Sequence, residues 1–297
     1  MSRTSTASSS RRSGRAEAEF AVPVRPEEVR ATLRRLGVRP SRSHGQSFLT
    51  DPYVADAEAA LALTGGPAPV VEIGGGLGIL TAALLRRGVR PLTVVERDPR
   101  LAEHLRATFG ERVTVEEVDA LERSFEPTVG VVGNLPYSVA TPLLLRLFAA
   151  RVERVTFMIQ REVAERLAAG PGSRVYGRLS IIARLYGEVE LFQTVPRTSF
   201  EPAPDVESRL AVHVARSGPL PVPSVPDFEL AVRELFRSRR KQLGNLLPRL
   251  TGSEGGAERL AERAEWPTDW ARRRPEELAP EAYIRLARAR AAAAPVG

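Results

Sequence analysis

The feature that most constrains this chain is a series of short, apolar, β-branched segments, each parted from the next by a stretch of helical periodicity. They run from Pro69 to Gly74, Pro91 to Asp98, Val113 to Ala120, Thr128 to Tyr137 and Val155 to Gln160. Apolar runs this short, with helices between them, belong to parallel strands covered on both faces. The spacers suit that covering role: Leu77 to Arg87, Pro99 to Phe109 and Thr141 to Ala150. Two of these carry proline in the first turn, where its missing N–H costs nothing. An α/β fold with a doubly wound sheet follows. Two more strand-like runs, Gly187 to Pro196 and Arg209 to Val214, suggest an antiparallel hairpin at one edge of that sheet. A proline-rich linker, Gly218 to Pro226, then leads into helical patterns over Asp227 to Arg237, Arg240 to Leu250, Ala257 to Ala264 and Pro280 to Ala293. The predicted domains are therefore a disordered Ser/Arg-rich tail over 1–20, an α/β domain over 21–217 and a small helical domain over 218–297.

Composition narrows the chemistry. No cysteine is present and only three histidines are, which excludes disulfides, thiolate metal sites and a cysteine nucleophile and argues against a zinc enzyme. No metal is expected. Neither a transmembrane run nor a secretory signal is visible, so the reading is a cytoplasmic protein with no membrane partner; a monomer is the separate expectation for its assembly. The net charge of +7 favours a polyanionic partner. Lys241 is the only lysine among the 43 cationic residues, so a bias toward arginine accounts equally well for much of that charge.

The segment Val70 to Gly78 runs from a strand into Gly74, Gly75, Gly76 and Gly78 and then into a helix. Glycines there let a backbone approach a ligand closely, with helix N–H groups facing it. The pattern serves a nicotinamide dinucleotide or S-adenosylmethionine alike. Three further polar residues end the next strands: Glu96, placed to accept both ribose hydroxyls; Asp119, placed to accept from an adenine amino group; and Asn134. Such residues at successive strand ends face one crevice. Glu96 and Asp119 are also explained as ordinary helix caps.

Gly133-Asn134-Leu135-Pro136-Tyr137 carries the most chemical information. An adenine amino group is a poor nucleophile because its lone pair is delocalised into the ring. Two acceptors, the Asn134 amide oxygen and the Leu135 carbonyl, would each take one N–H and aim the nitrogen. Pro136 would stiffen the turn and Tyr137 would stack on the base. A plain strand-to-loop turn is the alternative, since Asn, Pro and Tyr are common in turns.

At these residues the chain resembles the ribosomal RNA adenine dimethyltransferase family, which includes small-subunit dimethyladenosine transferases and large-subunit enzymes conferring macrolide resistance. The resemblance runs from about His44 to Val214. It takes in Gly45-Gln46-Ser47-Phe48-Leu49, Glu72-Ile73-Gly74, Glu96, Asp119-Ala120, Asn134 to Tyr137, Gln160 to Ala164, Tyr176 to Ser180 and Ser199 to Ser208. It implies a Rossmann-like class I methyltransferase sheet with S-adenosylmethionine as cofactor and S-adenosylhomocysteine as product. It further implies cofactor contacts from Ser47, Leu49, Gly74, Gly76, Glu96, Asp119, Ala120 and Asn134. Asn134, Leu135, Pro136 and Tyr137 would serve the target adenine, with Phe200 as a second aromatic of the base pocket or a buried core residue. Ser47 stands where that family usually has Asn, and Gly75 where it usually has Pro.

Tyr176 to Ser180 and the basic stretch Phe236 to Leu247, read as an amphipathic helix, resemble the small-subunit branch. The implied reaction is methylation of the N6 of two adjacent adenines in the 3′-terminal hairpin loop of small-subunit RNA, giving dimethyladenosine, with that RNA or the immature small subunit as partner and a role in subunit biogenesis. The alternatives are an RNA-binding assembly factor with incidental methylation, a large-subunit methyltransferase and, more remotely, a nicotinamide dehydrogenase.

Overall fold

The structure, a computed structural model, describes residues 20–40, 46–65, 69–251 and 255–293. Seven strands form one mixed sheet: β2 (Val70–Ile73), β3 (Leu92–Val95), β4 (Thr114–Glu116), β5 (Gly130–Asn134), β6 (Arg154–Gln160), β7 (Gly187–Val195) and β9 (Ser208–Ala215). Their order is β4-β3-β2-β5-β6-β9-β7. β2 lies parallel to both β3 and β5, β3 to β4, and β5 to β6. The five expected parallel strands are all present, the first four trimmed at their ends and the fifth longer by Arg154. β7 and β9 are neighbours at one edge, as expected. Arg209 bonds Thr194 at 2.9 Å, and Gly187 abuts Val214, so the two run antiparallel. Two further strands, β1 (Phe48–Leu49) and β8 (Phe200–Glu201), pair antiparallel with Leu49 opposite Phe200.

After β2 the chain moves outward through β3 and β4, then returns to the other side of β2 as β5. Loops at the carboxyl ends of β2 and β5 therefore diverge, and an open α/β sheet has its crevice at such a reversal. The strands there are buried on both faces because helices cover both: all four residues of β2, Glu72 among them, are buried. The helix Pro99–Phe109 lays Leu101, Ala102, Leu105 and Phe109 against the sheet, and Asp98 caps it by accepting from the Arg100 N–H at 2.9 Å. The helix Pro52–Ala62 starts in the same way at Asp51, whose other carboxylate oxygen accepts from the Ser199 hydroxyl at 3.1 Å. That bond ties the loop after β1 to the loop before β8.

The structure departs from expectation at several places. The predicted tail over 1–20 lies outside the described residues except for Phe20, which is buried with its ring 5.2 Å from that of Phe109 and belongs to the core. Gly45 also lies outside them. The predicted helix Arg240 to Leu250, and with it the continuous basic helix over Phe236 to Leu247, does not form. The helix Val225–Phe236 ends, a turn follows, and a 3-10 turn Leu243–Asn245 precedes the short helix Pro248–Thr251. Pro248 has no N–H to continue a helix, and Gly244 packs against the Ala271 backbone, where an added Cβ would sit 3.0 Å from the carbonyl oxygen. Helices Pro26–Arg35, Pro52–Ala62, Arg161–Ala168 and Arg178–Tyr186 were not anticipated.

The chain divides into two compact units, cut differently from the expected boundary at Gly218 to Pro226. The first holds the described residues up to Arg161 together with Phe192–Val212; the second holds Glu162–Leu191 together with the described residues from His213 onward. In the second, the Tyr176 hydroxyl donates to the Leu278 carbonyl at 2.9 Å, and Tyr176, Phe236 and Tyr283 form a ring cluster. The apolar residues Ile181, Ile182 and Leu185 give Arg178–Tyr186 a reason to pack with the C-terminal helices.

Candidate functional site

One cavity opens at the carboxyl ends of β2, β3 and β5, within the first unit. It is lined by Gln46 to Leu49, Glu72 to Leu77, Val95 to Arg97, Val118 to Leu121 and Asn134 to Val139, among others. Every residue expected to serve the cofactor is on its wall: Ser47, Leu49, Gly74, Gly76, Glu96, Asp119, Ala120 and Asn134. Leu135, Pro136 and Tyr137 line it as well. Phe200 does not; it is 2% exposed and packs in the core with Leu49 and Leu80, the second of the two places considered for it.

The glycine turn is shaped by contact on two sides. Gly74, Gly76 and Gly78 all have positive φ, at 75°, 56° and 89°. A Cβ on Gly76 would reach within 3.3 Å of the Phe48 ring, so the position needs both the freedom and the smallness of glycine. Gly75 has ordinary φ but no room: a Cβ there would lie 2.3 Å from Val94 Cγ1 and 2.8 Å from Leu105 Cδ1. The core beneath this turn is thus filled by side chains where a larger residue would have stood.

Glu96 is 8% exposed, and both its oxygens accept backbone N–H groups, from Gly76 at 3.0 Å and Asp98 at 2.9 Å. Each carboxylate oxygen has a further lone pair, enough to receive a diol. Burial raises the Glu96 pKa, and those backbone donors oppose the rise. Asp98, not Glu96, caps the helix that follows, so the cap explanation fails for Glu96. Asp119 does behave as a turn former: Oδ1 accepts from the Leu121 N–H at 2.9 Å, while Oδ2 receives Arg97 at 3.4 Å.

Asn134 is the last residue of β5. Its side-chain Nδ2 donates to the Ser47 carbonyl at a long 3.4 Å, an orientation that leaves Oδ1 as the free acceptor end. Pro136 opens the turn that leads to the helix Ala140–Ala149, its carbonyl accepting from Val139 and Ala140 at 3.0 Å each. Tyr137 is half-buried and its hydroxyl bonds the buried Ser208 Oγ at 2.7 Å, which fixes the ring; burial raises the phenol pKa. The anchoring roles of the Ser47 carbonyl and Ser208 were not foreseen. Nor was Thr81, which donates to the buried Glu72 at 2.7 Å.

Two carbonyl acceptors on a strand-to-helix turn, an aromatic ring held by Ser208 and a buried carboxylate thus line one cavity. Comparison with known proteins identifies the family. The sequence matches the Ribosomal RNA adenine dimethylase family over residues 38–263. It is 40% identical over 252 residues to the ribosomal RNA small subunit methyltransferase A of Anaeromyxobacter dehalogenans, covering 79% of this chain and 86% of that one. The corresponding protein of Corynebacterium efficiens is 37% identical over 278 residues, covering 88% and 94%. Among solved structures, a dimethyladenosine transferase from Plasmodium falciparum superposes with a TM-score of 0.67 at 22% identity, over 80% of this chain and 95% of that one, a likeness of fold. The 23S rRNA methyltransferase ErmE gives 0.65 at 26% identity, over 82% and 98%.

Proposed function

Because the chain belongs to the ribosomal RNA adenine dimethylase family, we propose that it transfers methyl groups from S-adenosylmethionine to the N6 of adenines in small-subunit ribosomal RNA. The observation that carries the chemistry is the Asn134–Tyr137 turn on the wall of the cavity that also holds Gly74 and Glu96. The target is two adjacent adenines of the 3′-terminal hairpin loop, each taken to dimethyladenosine, in an immature subunit in the cytoplasm, with the protein acting as a monomer. Relatives at 37–40% identity bear small-subunit names, which favours that RNA over the large-subunit one.

The cavity suits S-adenosylmethionine on its own terms. Glu96 offers lone pairs for the ribose, Asp119 an acceptor for the adenine amino group, and Glu72 a buried carboxyl oxygen with no hydrogen-bond partner. When bound, this cofactor supplies a methyl group on a positively charged sulfur. The protein's part is placement. Asn134 Oδ1 and the Leu135 carbonyl accept the two amino protons of the adenine, so that the nitrogen lone pair is turned away from the ring and toward the donor. Tyr137, held by Ser208, offers its ring for stacking, worth about 1–3 kcal/mol per base. That stacking offsets part of the few kcal/mol needed to splay a loop base out of its surroundings. Exposed Arg237, Arg240 and Lys241, on the second unit, are cations suited to RNA phosphates, and the helical part of the chain is proposed as the RNA-binding part.

The test is incubation with radiolabelled S-adenosylmethionine and under-methylated small subunits, followed by nucleoside analysis. N6,N6-dimethyladenosine in small-subunit RNA is the expected product. Label confined to large-subunit RNA would refute the substrate, and tight subunit binding without label would refute the enzyme in favour of an assembly factor.

A further inference from the structure

Behind the glycine turn the first unit encloses two carboxyls with no counter-ion. Glu58, on the helix Pro52–Ala62, is fully buried and neither of its oxygens has a hydrogen-bond partner. Glu72, on β2, is 1% exposed and lines the cavity; Oε2 accepts from Thr81 while Oε1 has no partner. Glu58 feels the charge of Glu72, and Glu72 that of Glu96 at the end of β3. Arg86 ends the neighbouring helix Ile79–Arg86, and two other charged groups on these elements and their flanks are engaged elsewhere. Asp56 pairs with Arg87 at the outer edge of the two covering helices, and Arg154 at the start of β6 reaches the Thr64 carbonyl. Burial raises both carboxyls to about 8, with the charge of Glu72 adding to the rise at Glu58 and that of Glu96 to the rise at Glu72. A low-polarity enclosure shared by two carboxyls keeps protons on the pair.

We propose that the Glu58–Glu72 pair makes this cavity discriminate the cationic methyl donor from its uncharged-sulfur product: the pair holds its protons while no positive charge is near, and releases one when a cation enters the cavity that Glu72 lines. This rests on the S-adenosylmethionine reading of the site. S-adenosylmethionine and S-adenosylhomocysteine share their amino, carboxylate and ribose groups and differ by the sulfonium charge. Only the donor offers the pair that extra charge. By linkage, donor affinity gains on product affinity as pH rises, by at most about tenfold per pH unit for each proton released. Glu58, away from the cavity wall, is the carboxyl that stays protonated when Glu72 ionises, because the charge of Glu72 raises it.

Isothermal titration calorimetry of the full chain at pH 7.5, in buffers of different ionisation enthalpy, counts the protons released with each ligand. The expected result is more protons released with S-adenosylmethionine than with S-adenosylhomocysteine. Glu72→Gln should remove that excess. Glu58→Gln should leave the excess in place, because burial and Glu96 hold the Glu72 carboxyl up and glutamine is as neutral as the protonated Glu58 it replaces. Equal release for the two ligands by the wild-type chain, or an excess that persists undiminished in Glu72→Gln, would overturn the proposal. Failure of either ligand to bind the wild-type chain would instead remove the cofactor reading.

Discussion

Asn134 uses both ends of its amide: Nδ2 is tied to the Ser47 carbonyl, and Oδ1 is thereby presented as an acceptor. Replacing it with alanine removes an acceptor needed only when the adenine amino group is being reshaped. Asn134→Ala should lower kcat for methyl transfer by about 10²- to 10³-fold, the usual cost of one such aimed group, with thermal unfolding little changed; steady-state kinetics and calorimetry check both. Tyr137 separates two contributions. Tyr137→Phe loses the bond to Ser208 but keeps the ring, whereas Tyr137→Ala loses the stack, and KM for subunit RNA should rise by about tenfold or more in the second and less in the first. Gly74, Glu96, Asp119 and Asn134 to Tyr137, gathered on the cavity wall, were legible in the sequence because they lie at, or up to three residues beyond, the ends of strands. Their anchors were not, since Ser47 lies 87 residues from Asn134 and Ser208 lies 71 from Tyr137. Phe200 shows the converse limit: its neighbours suited a base pocket, but pairing opposite Leu49 carries it into the core.

Strands and helices were legible where periodicity and length agreed. The parallel strands and the helices Pro99–Phe109 and Pro280–Ala293 fall where the pattern puts them. Arg178–Tyr186 and Arg161–Ala168 were missed because the flanking motifs drew a functional reading and their partners lie far along the chain. Arg240 to Leu250 was overcalled because helix-forming side chains outweighed Gly244 and Pro248. At this scale the glycine turn makes a sharp prediction: Gly75→Ala should cost about 1–3 kcal/mol by overpacking against Val94 and Leu105, measured by denaturant unfolding. A second prediction concerns the helix Pro52–Ala62. The Glu58 and Glu72 pKa values in the fold, about 8, lie above those of an unfolded chain. Stability from such groups is complete below the unfolded pKa and is lost as pH rises through the folded one. Glu58→Gln should therefore gain stability relative to wild type as pH is raised from about 5 to about 8, seen as a growing difference in Tm.

For the whole molecule, the charge of +7 and the exposed Arg240 and Lys241 predict a salt-sensitive encounter with RNA. Replacing both with glutamate should raise KM for subunits while leaving S-adenosylmethionine affinity unchanged, because neither residue lines the cavity. The sequence showed two parts but not how they are threaded. Glu162–Leu191 leaves the first unit, joins the second, and the chain comes back at Phe192 to complete the first before departing again at His213. Such a chain cannot be shortened at its apparent linker as one would cut a string of beads. A fragment ending at residue 217 keeps Tyr176, Ile181, Ile182 and Leu185 but discards the helices that cover them, leaving an uncovered oily patch in the middle of the remaining polypeptide. The second unit is an insertion with a tail, and the two must be inherited, engineered and purified together.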